Sequence, residues 1–323
     1  MMNQTDISFP NLGIYLENVP RNFKIFGIEI MLYAICVVAG MFAGGMIASH
    51  LAKKEGWKSD TIWDFFFYGI VFGVLGARAY YVIFAWDYYK DSPLQVFNIR
   101  QGGLAIYGGV IAAFITVYAY CRIKKLSPLR LLDYGLPGLI LGQAIGRWGN
   151  FFNREVFGEY TENIFAMRLP IAAVRARDIS DELSAHIGAG ENFVQVHPTF
   201  LYECLWNLGV LILILIFFKK RKFFGEISFW YLAGYGVGRF WIEGIRTDTL
   251  FIPGTTLAVS QVLAMVMVIG SVAGDILVRV LISKDRLGSI VYNDENLTKT
   301  SDVRDSKDID TSEKTEESSK NEK

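Results

Sequence analysis

The sequence predicts an all-α integral membrane protein: seven transmembrane helices, N-terminus outside, C-terminus cytoplasmic, and a small external head between spans four and five. Three observations predict it. Hydrophobic residues make up 52% of the 323 and mean hydropathy is positive, which argues against a soluble globular chain. Seven segments each hold about 20 predominantly apolar residues, the length needed to cross a bilayer. Lys and Arg cluster after every second segment, which sets the orientation.

The predicted spans run over about 28–51, 61–84, 104–122, 131–150, 199–218, 226–244 and 256–282. The first is too long, and too unlike a leader with a basic start and a small-residue exit, to be a removed signal peptide. Lys53, Lys54 and Lys58 follow it. Arg122, Lys124, Lys125 and Arg130 join spans three and four, Lys219 to Lys222 join five and six, and Arg279, Lys284 and Arg286 follow seven. With the N-terminus outside, all four clusters face the cytoplasm, which needs an odd number of spans.

Three connections are then external. "AWDYYKDSPLQVFNIRQGG" offers Trp86, Tyr88 and Tyr89 to the headgroup zone. Residues from about 151 to 198 are enough for a folded head, and "RTDTLFIPG" is a short turn. Residues 1–285 form the expected membrane domain. From 286 to 323 the chain is polar, mixed in charge and nearly free of large apolar residues, so a disordered cytoplasmic tail is expected. The formal net charge of zero gives no bias toward nucleic acid. Cys36, Cys121 and Cys204 lie within apolar stretches without metal-ligand spacing; they read as buried small hydrophobes, and no metal site is expected. Gly40 and Gly44, Gly69 and Gly73, and Gly142 and Gly146 recur at four-residue spacing, which lets helix backbones approach closely in lipid.

Charge at membrane depth costs about 2.5–3.5 kcal/mol per group on insertion scales, so each instance needs a reason. Arg78, in "GVLGARAYYVIF", either snorkels to the headgroups or faces an interior cavity. Asp133 suits a helix N-terminus. In "GYGVGRFWIEGIR", Arg239, Glu243 and Arg246 project from one helix face, behind a glycine-rich stretch. "GRWGNFFNREVFG" is denser: Arg147, Asn150 and Arg154 share a face, beside Asn153, Glu155 and Gly158. Arginine forks match phosphate oxygens, amides fix geometry, and a carboxylate either partners the arginines or accepts a proton. That set suits a phospholipid headgroup better than a solvated helix cap. His197 opens "HPTFLYE", where Pro198 suits a helix start; the histidine reads as acid, base or cap.

These residues resemble the bacterial prolipoprotein diacylglyceryl transferases. "GRWGNFFNREVFG" is similar to the family signature G-R-x-G-N-F-x-N-x-E-x-x-G, with "GARAYYVIF", "QGGLAIYGGVIA", "HPTFLYE" and "GRFWIEGIRTDTLFIPG" in the same order over about residues 20–284. The resemblance implies a multi-pass enzyme of the bacterial cytoplasmic (inner) membrane, without a cofactor. Its partners would be phosphatidylglycerol, membrane lipid and the lipobox cysteine of a prolipoprotein, with no nucleic acid. It would move diacylglyceryl to the cysteine thiol and release glycerol phosphate.

By position, the resemblance implies that Arg147 binds the lipid phosphate, that Asn150, Glu155 and Gly158 are essential, and that Arg239 with Glu243 completes the cavity. Catalytic roles are thus expected for Arg147, Asn150, Glu155 and Arg239, and substrate contacts for Arg78, Tyr107, Asn153, Gly158, His197, Glu243 and Arg246. Two positions depart from the pattern. "GGLAIYGG" places Tyr107 where some members carry a histidine, and a tyrosine of pKa near 10 is a poor base at neutral pH. "FKIFGIE" has Phe26 where members often carry tyrosine. The competing class is a transporter with an Arg/Glu-lined path; it predicts solute flux, whereas the enzyme predicts glycerol phosphate release only when a lipobox thiol is present.

Overall fold

The structure, a computed structural model, describes residues 2–99, 102–255 and 257–293. It is mostly helical. The helices are α1 (Leu32–Lys54), α2 (Ser59–Phe84), α3 (Trp86–Tyr89), α4 (Ile106–Lys124), α5 (Pro128–Asn153), α6 (Asp181–Ala185), α7 (Thr199–Phe217), α8 (Glu226–Glu243) and α9 (Val259–Ser283). Among the described residues, α1, α2, α4, α9 and α7 with its extension to Lys220 are long and apolar enough to cross a membrane, five in all. α5 and α8 are also long, but they hold the polar groups: Arg130, Asp133, Arg147 and Asn150 on one, Glu226, Arg239 and Glu243 on the other. The chain is therefore an integral membrane protein with two polar helices among apolar ones.

Two small sheets were not anticipated. Residues 28–31, expected to open span one, instead form β4 (Ile28–Met31), paired antiparallel with β3 (Asn22–Ile25). Phe26 and Gly27 turn this hairpin with φ of 49° and 79°, the two positive values of a type I′ turn, whose twist matches the strands. Phe26 is fully exposed there.

The chain divides into two compact units. The first comprises residues 1–46, 136–222 and 226–287. Its head sheet has the order β2-β1-β5-β6, with β1 (Ile7–Phe9), β2 (Ile14–Leu16), β5 (Met167–Pro170) and β6 (Phe193–Val196). Every neighbouring pair is antiparallel, and Ser8 lies opposite Arg168. The head thus extends beyond 151–198 to include the N-terminal segment. Ile7, Phe157, Leu169, Leu183 and Val196 are almost wholly buried in its core; each such side chain contributes roughly 1.5–3 kcal/mol. Buried Arg154 binds the N-terminal segment in place by donating to the carbonyls of Thr5 at 2.7 Å and Val19 at 2.6 Å. Burial pulls its pKa down to about 10, so it stays charged at neutral pH.

In the same unit α8 packs against both α7 and α9. Helix backbones meet at Gly40 and Gly44: a Cβ on Gly40 would lie 2.8 Å from the Gly142 carbonyl, and one on Gly44 2.4 Å from that of Gly138. This is the close approach expected of spaced glycines in lipid. Gly69, Gly73 and Gly146 meet nothing within 4 Å of such a Cβ.

Among the described residues the second unit comprises 47–135, 223–225 and 288–293. α2 and α4 pack together in it. At one end lies a knot of buried polar and aromatic groups. The Arg130 guanidinium sits 5.4 Å from the Trp57 ring and 5.2 Å from that of Phe224, and donates to Tyr134 Oη and the Glu55 carbonyl, each at 3.2 Å. Asp133 is fully buried and accepts from the Gly225 amide at 2.9 Å, a tertiary role beyond the helix-terminus charge expected for it. Residues 288–293 close this knot. The Phe224 amide donates to the Ile290 carbonyl at 2.8 Å, and Tyr292 Oη donates to Glu55 at 3.2 Å. Most of the expected tail, residues 294–323, lies outside the described residues.

Candidate active site

The site begins where α5 ends. Arg147, Asn150 and Asn153 occupy its last turns. Arg154 and Val156 then adopt φ of 54° and 60°; a left-handed conformation stops the helix, and for a β-branched valine it costs on the order of 1–3 kcal/mol. The turn carries Glu155 back over the helix. Its amide donates to the Asn150 carbonyl at 3.2 Å, while its Oε1 accepts from Asn150 Nδ2 at 3.1 Å and Asn153 Nδ2 at 3.2 Å. Its Oε2 pairs with Arg175 of the head. The same turn takes Arg154 off the face it was expected to share with Arg147 and Asn150, and into the N-terminal segment. A small pocket beside this turn is lined by Asn150, Glu155, Phe157, Met167, Thr199 and Phe200.

A second cluster centres on Glu203, in the second turn of α7 and 3% exposed. Its Oε2 pairs with Arg147, and its Oε1 accepts from Arg239 Nη1 at 3.4 Å. Arg239 Nη2 lies 2.5 Å from Glu243 Oε2, a charge contact without hydrogen-bond alignment. α8 ends at Glu243, so Arg246 follows the helix rather than lying on its face. It still reaches Glu243 at 3.5 Å and grips Asp248 with two bonds of 2.8 and 2.7 Å. Burial opposes the Arg246 charge, but Asp248 and Glu243 outweigh it and raise its pKa. Burial pushes Asp248 up, and the Arg246 bonds more than reverse this. Arg147 and Arg239 keep about a fifth of their side chains exposed. Removing one member of such a pair strands its partner's charge, which costs about 3–5 kcal/mol.

Backbone joins the two clusters. The Gly158 amide donates to the His197 carbonyl at 3.0 Å, the His197 amide to Glu159 at 3.0 Å, and the Glu159 amide to Ile245 at 2.8 Å. This three-way seam needs a glycine: a Cβ on Gly158 would sit 2.5 Å from the Ile245 carbonyl and 2.8 Å from the His197 Cβ. His197 Nδ1 lies 3.2 Å from Tyr202 Oη and 3.3 Å from Asn163 Nδ2. Asn163 also donates to Tyr202 at 2.8 Å, so Nδ1 is assigned as acceptor and the proton to Nε2. Burial lowers the His197 pKa and keeps the ring neutral at pH 7.

Arg78 and Tyr107 belong to the second unit. Arg78 is 7% exposed and its donors are spent on backbone: Nε on Val96, Nη1 on Gly102 and Gly103, Nη2 on Gln95 and Asn98. These bonds hold the connection between α3 and α4. Tyr107 is 59% exposed on α4, its ring 6.4 Å from Tyr80.

Glu203, Arg175 and Asp248 were not among the expected site residues. For Glu203 a signal existed: it is a carboxylate inside a predicted span, as much in need of explanation as Arg147. Arg175 stands outside the signature, in a loop whose position only the folded head reveals.

Fold and site define a class: a multi-helix membrane protein with arginines held by carboxylates at the ends of its polar helices. A family model described as prolipoprotein diacylglyceryl transferase matches residues 20–277. The chain is 43% identical over 251 residues to the phosphatidylglycerol–prolipoprotein diacylglyceryl transferase of Finegoldia magna, covering 77% of this chain and 92% of the relative. It is 40% identical over 250 residues to the enzyme of that name from Clostridioides difficile, covering 77% and 91%. With that of Lysinibacillus sphaericus the identity is 37% over 284 residues, covering 86% and 93%. The chain belongs to the prolipoprotein diacylglyceryl transferase family.

Proposed function

We propose that this membrane transferase moves diacylglyceryl from phosphatidylglycerol to the lipobox cysteine thiol of prolipoproteins, the first step of lipoprotein maturation. Family membership supports the reaction and both substrates. It does not favour the transporter alternative. Sulfur attacks the glycerol carbon that carries the phosphate, the carbon–oxygen bond breaks, a thioether forms, and glycerol phosphate leaves.

One observation supports the assignment of roles: Glu203 holds Arg147 and Arg239 together while leaving part of each guanidinium exposed. The pair binds the lipid phosphate and neutralises the charge that develops as it leaves, a stabilisation that is strong where water is scarce. Their positive potential also lowers the thiol pKa from about 8.5. Asn150 and Asn153 orient Glu155, which accepts the thiol proton, and Glu243 and Arg246 extend the ion-pair chain. His197, neutral and with its proton on Nε2, serves as a donor to substrate.

The helix count and basic clusters support seven spans in the inner membrane, α5 and α8 included, with the N-terminus and head outside and the tail in the cytoplasm. Residues 1–285 act as the catalytic domain. The test follows labelled diacylglyceryl from phosphatidylglycerol to a lipobox peptide. Arg147→Ala and Arg239→Ala should each reduce transfer at least about a hundredfold; near-normal transfer by either sinks the assignment.

A further inference from the structure

We propose that Arg175, a head residue outside the signature, is a positioning residue for Glu155; this rests on the role just given to that carboxylate. Glu155 is gripped from two sides. Its Oε1 takes the Asn150 and Asn153 amides at 3.1 and 3.2 Å, both from α5, and its Oε2 takes the Arg175 guanidinium from the head. Amides alone leave the carboxylate free to swing about its own axis, whereas a charged partner on the second oxygen fixes its plane. Glu155 is 17% exposed and Arg175 49%, so the carboxylate is the enclosed member and the arginine reaches in to it from solvent.

The arginine is itself held. Asp178 Oδ2 lies 3.6 Å from Arg175 Nε, and the Asp178 amide donates to the Arg175 carbonyl at 2.9 Å. The loop is tied at its start, where the Ile171 amide donates to the Asn192 carbonyl at 3.0 Å, and again where Arg21 donates to the Ala173 carbonyl. The head loop and the end of α5 thus converge on one carboxylate, and the N-terminal segment braces that loop.

Charge gives the contact a second effect. Arg175 neutralises Glu155 locally, so the signature carboxylate does not draw on Arg147 or repel an incoming phosphate. Arg147 and Arg239 are left with Glu203 and Glu243 as their acidic partners among the described residues. Without Arg175, Glu155 becomes an enclosed, unbalanced anion beside the pocket that it lines with Asn150.

The experiment is a double-mutant cycle on the full chain in detergent, with Arg175→Ala, Glu155→Gln and their combination. Transfer to a lipobox peptide and thermal midpoint are both measured, and Arg175→Lys is the conservative control. Arg175→Ala should lower kcat/KM at least about tenfold while the midpoint moves by no more than about 3 °C, because the arginine removed is half-exposed and water can take its place. The combined variant should be no worse than Glu155→Gln alone, since the arginine acts through the carboxylate, and lysine should restore part of the loss. Losses that multiply, or a normal Arg175→Ala beside an impaired Glu155→Gln, overturn the positioning role and leave Glu155 in the site. A normal Glu155→Gln removes the underlying reading of Glu155 instead.

Discussion

Glu203 on α7 pairs with Arg147 on α5 from a position only 3% exposed to solvent. The same carboxylate reaches Arg239 on α8, so one residue sets the spacing of two arginines from different helices. Glu203→Gln keeps the shape and removes the charge. It should lower transfer at least about tenfold and destabilise the protein by about 3–5 kcal/mol, because the mostly buried Arg147 loses its acidic partner and Arg239 is left with Glu243 alone. Activity and denaturation midpoint measured on one preparation check this; a fully active, equally stable variant would contradict it.

Arg147→Lys should behave almost like alanine. A lysine is a single flexible point charge and cannot present a planar fork to a carboxylate and a phosphate together. Transfer assays over a range of phosphatidylglycerol concentrations check this, with the loss expected in kcat as well as KM.

For Arg78→Ala the expected effect is local. Five carbonyls between Gln95 and Gly103 lose their donor, and unsatisfied buried groups cost about 1–3 kcal/mol each unless water replaces the bond. Amide exchange should quicken at residues 95–99 and 102–103 well before α2 or α4 changes. Uniform exchange across the chain would show that the arginine is not the anchor of that connection.

His197 makes a pH-dependent contribution. Its folded pKa lies below the ordinary value of 6.5 because burial disfavours the imidazolium. The unfolded chain therefore binds more protons between the two values, so the contribution is complete above about pH 6.5 and is lost as pH falls through the folded pKa. Thermal midpoints from pH 7.5 down to 5 should decline less in His197→Gln than in the parent. Parallel curves would remove His197 as the cause.

Tyr107→Phe tests the position where some family members carry a histidine. Its hydroxyl makes no hydrogen bond among the described residues and its ring is mostly exposed, so the variant should retain transfer within about twofold, the range of a lost solvent-facing hydroxyl. A collapse in rate would put the phenol on the proton path.

Long apolar runs made the helices legible, because a span must satisfy its backbone internally and reads as unbroken hydrophobicity. The head was less so. β1 pairs with β5 across more than 150 residues, and no local pattern announces that Ser8 will lie opposite Arg168. The apolar string 28–31 ran straight into α1 and looked like its first turn, although Phe26 and Gly27 had already bent it into a hairpin. Arginines 147 and 239 stood out as cations at membrane depth, and the structure brings both onto Glu203. Arg154 was misplaced because counting by helical period assumes the helix continues, and its φ of 54° ends it. Arg175 had no sequence signal at all, since its partner lies 20 positions away across a turn.

The knot around Arg130 and Glu55 has a consequence for how the protein is made. It draws on residues 55–57, 130–134, 223–225 and, last, 288–293. A ribosome delivers that piece only after α1 to α9 have been synthesised. Until Tyr292 emerges, Glu55 and Phe224 wait without one of their partners. The second unit is thus sealed only by a segment made after α9, and a chain that stops short of residue 288 would enter the membrane with α1 to α9 formed and its seal missing.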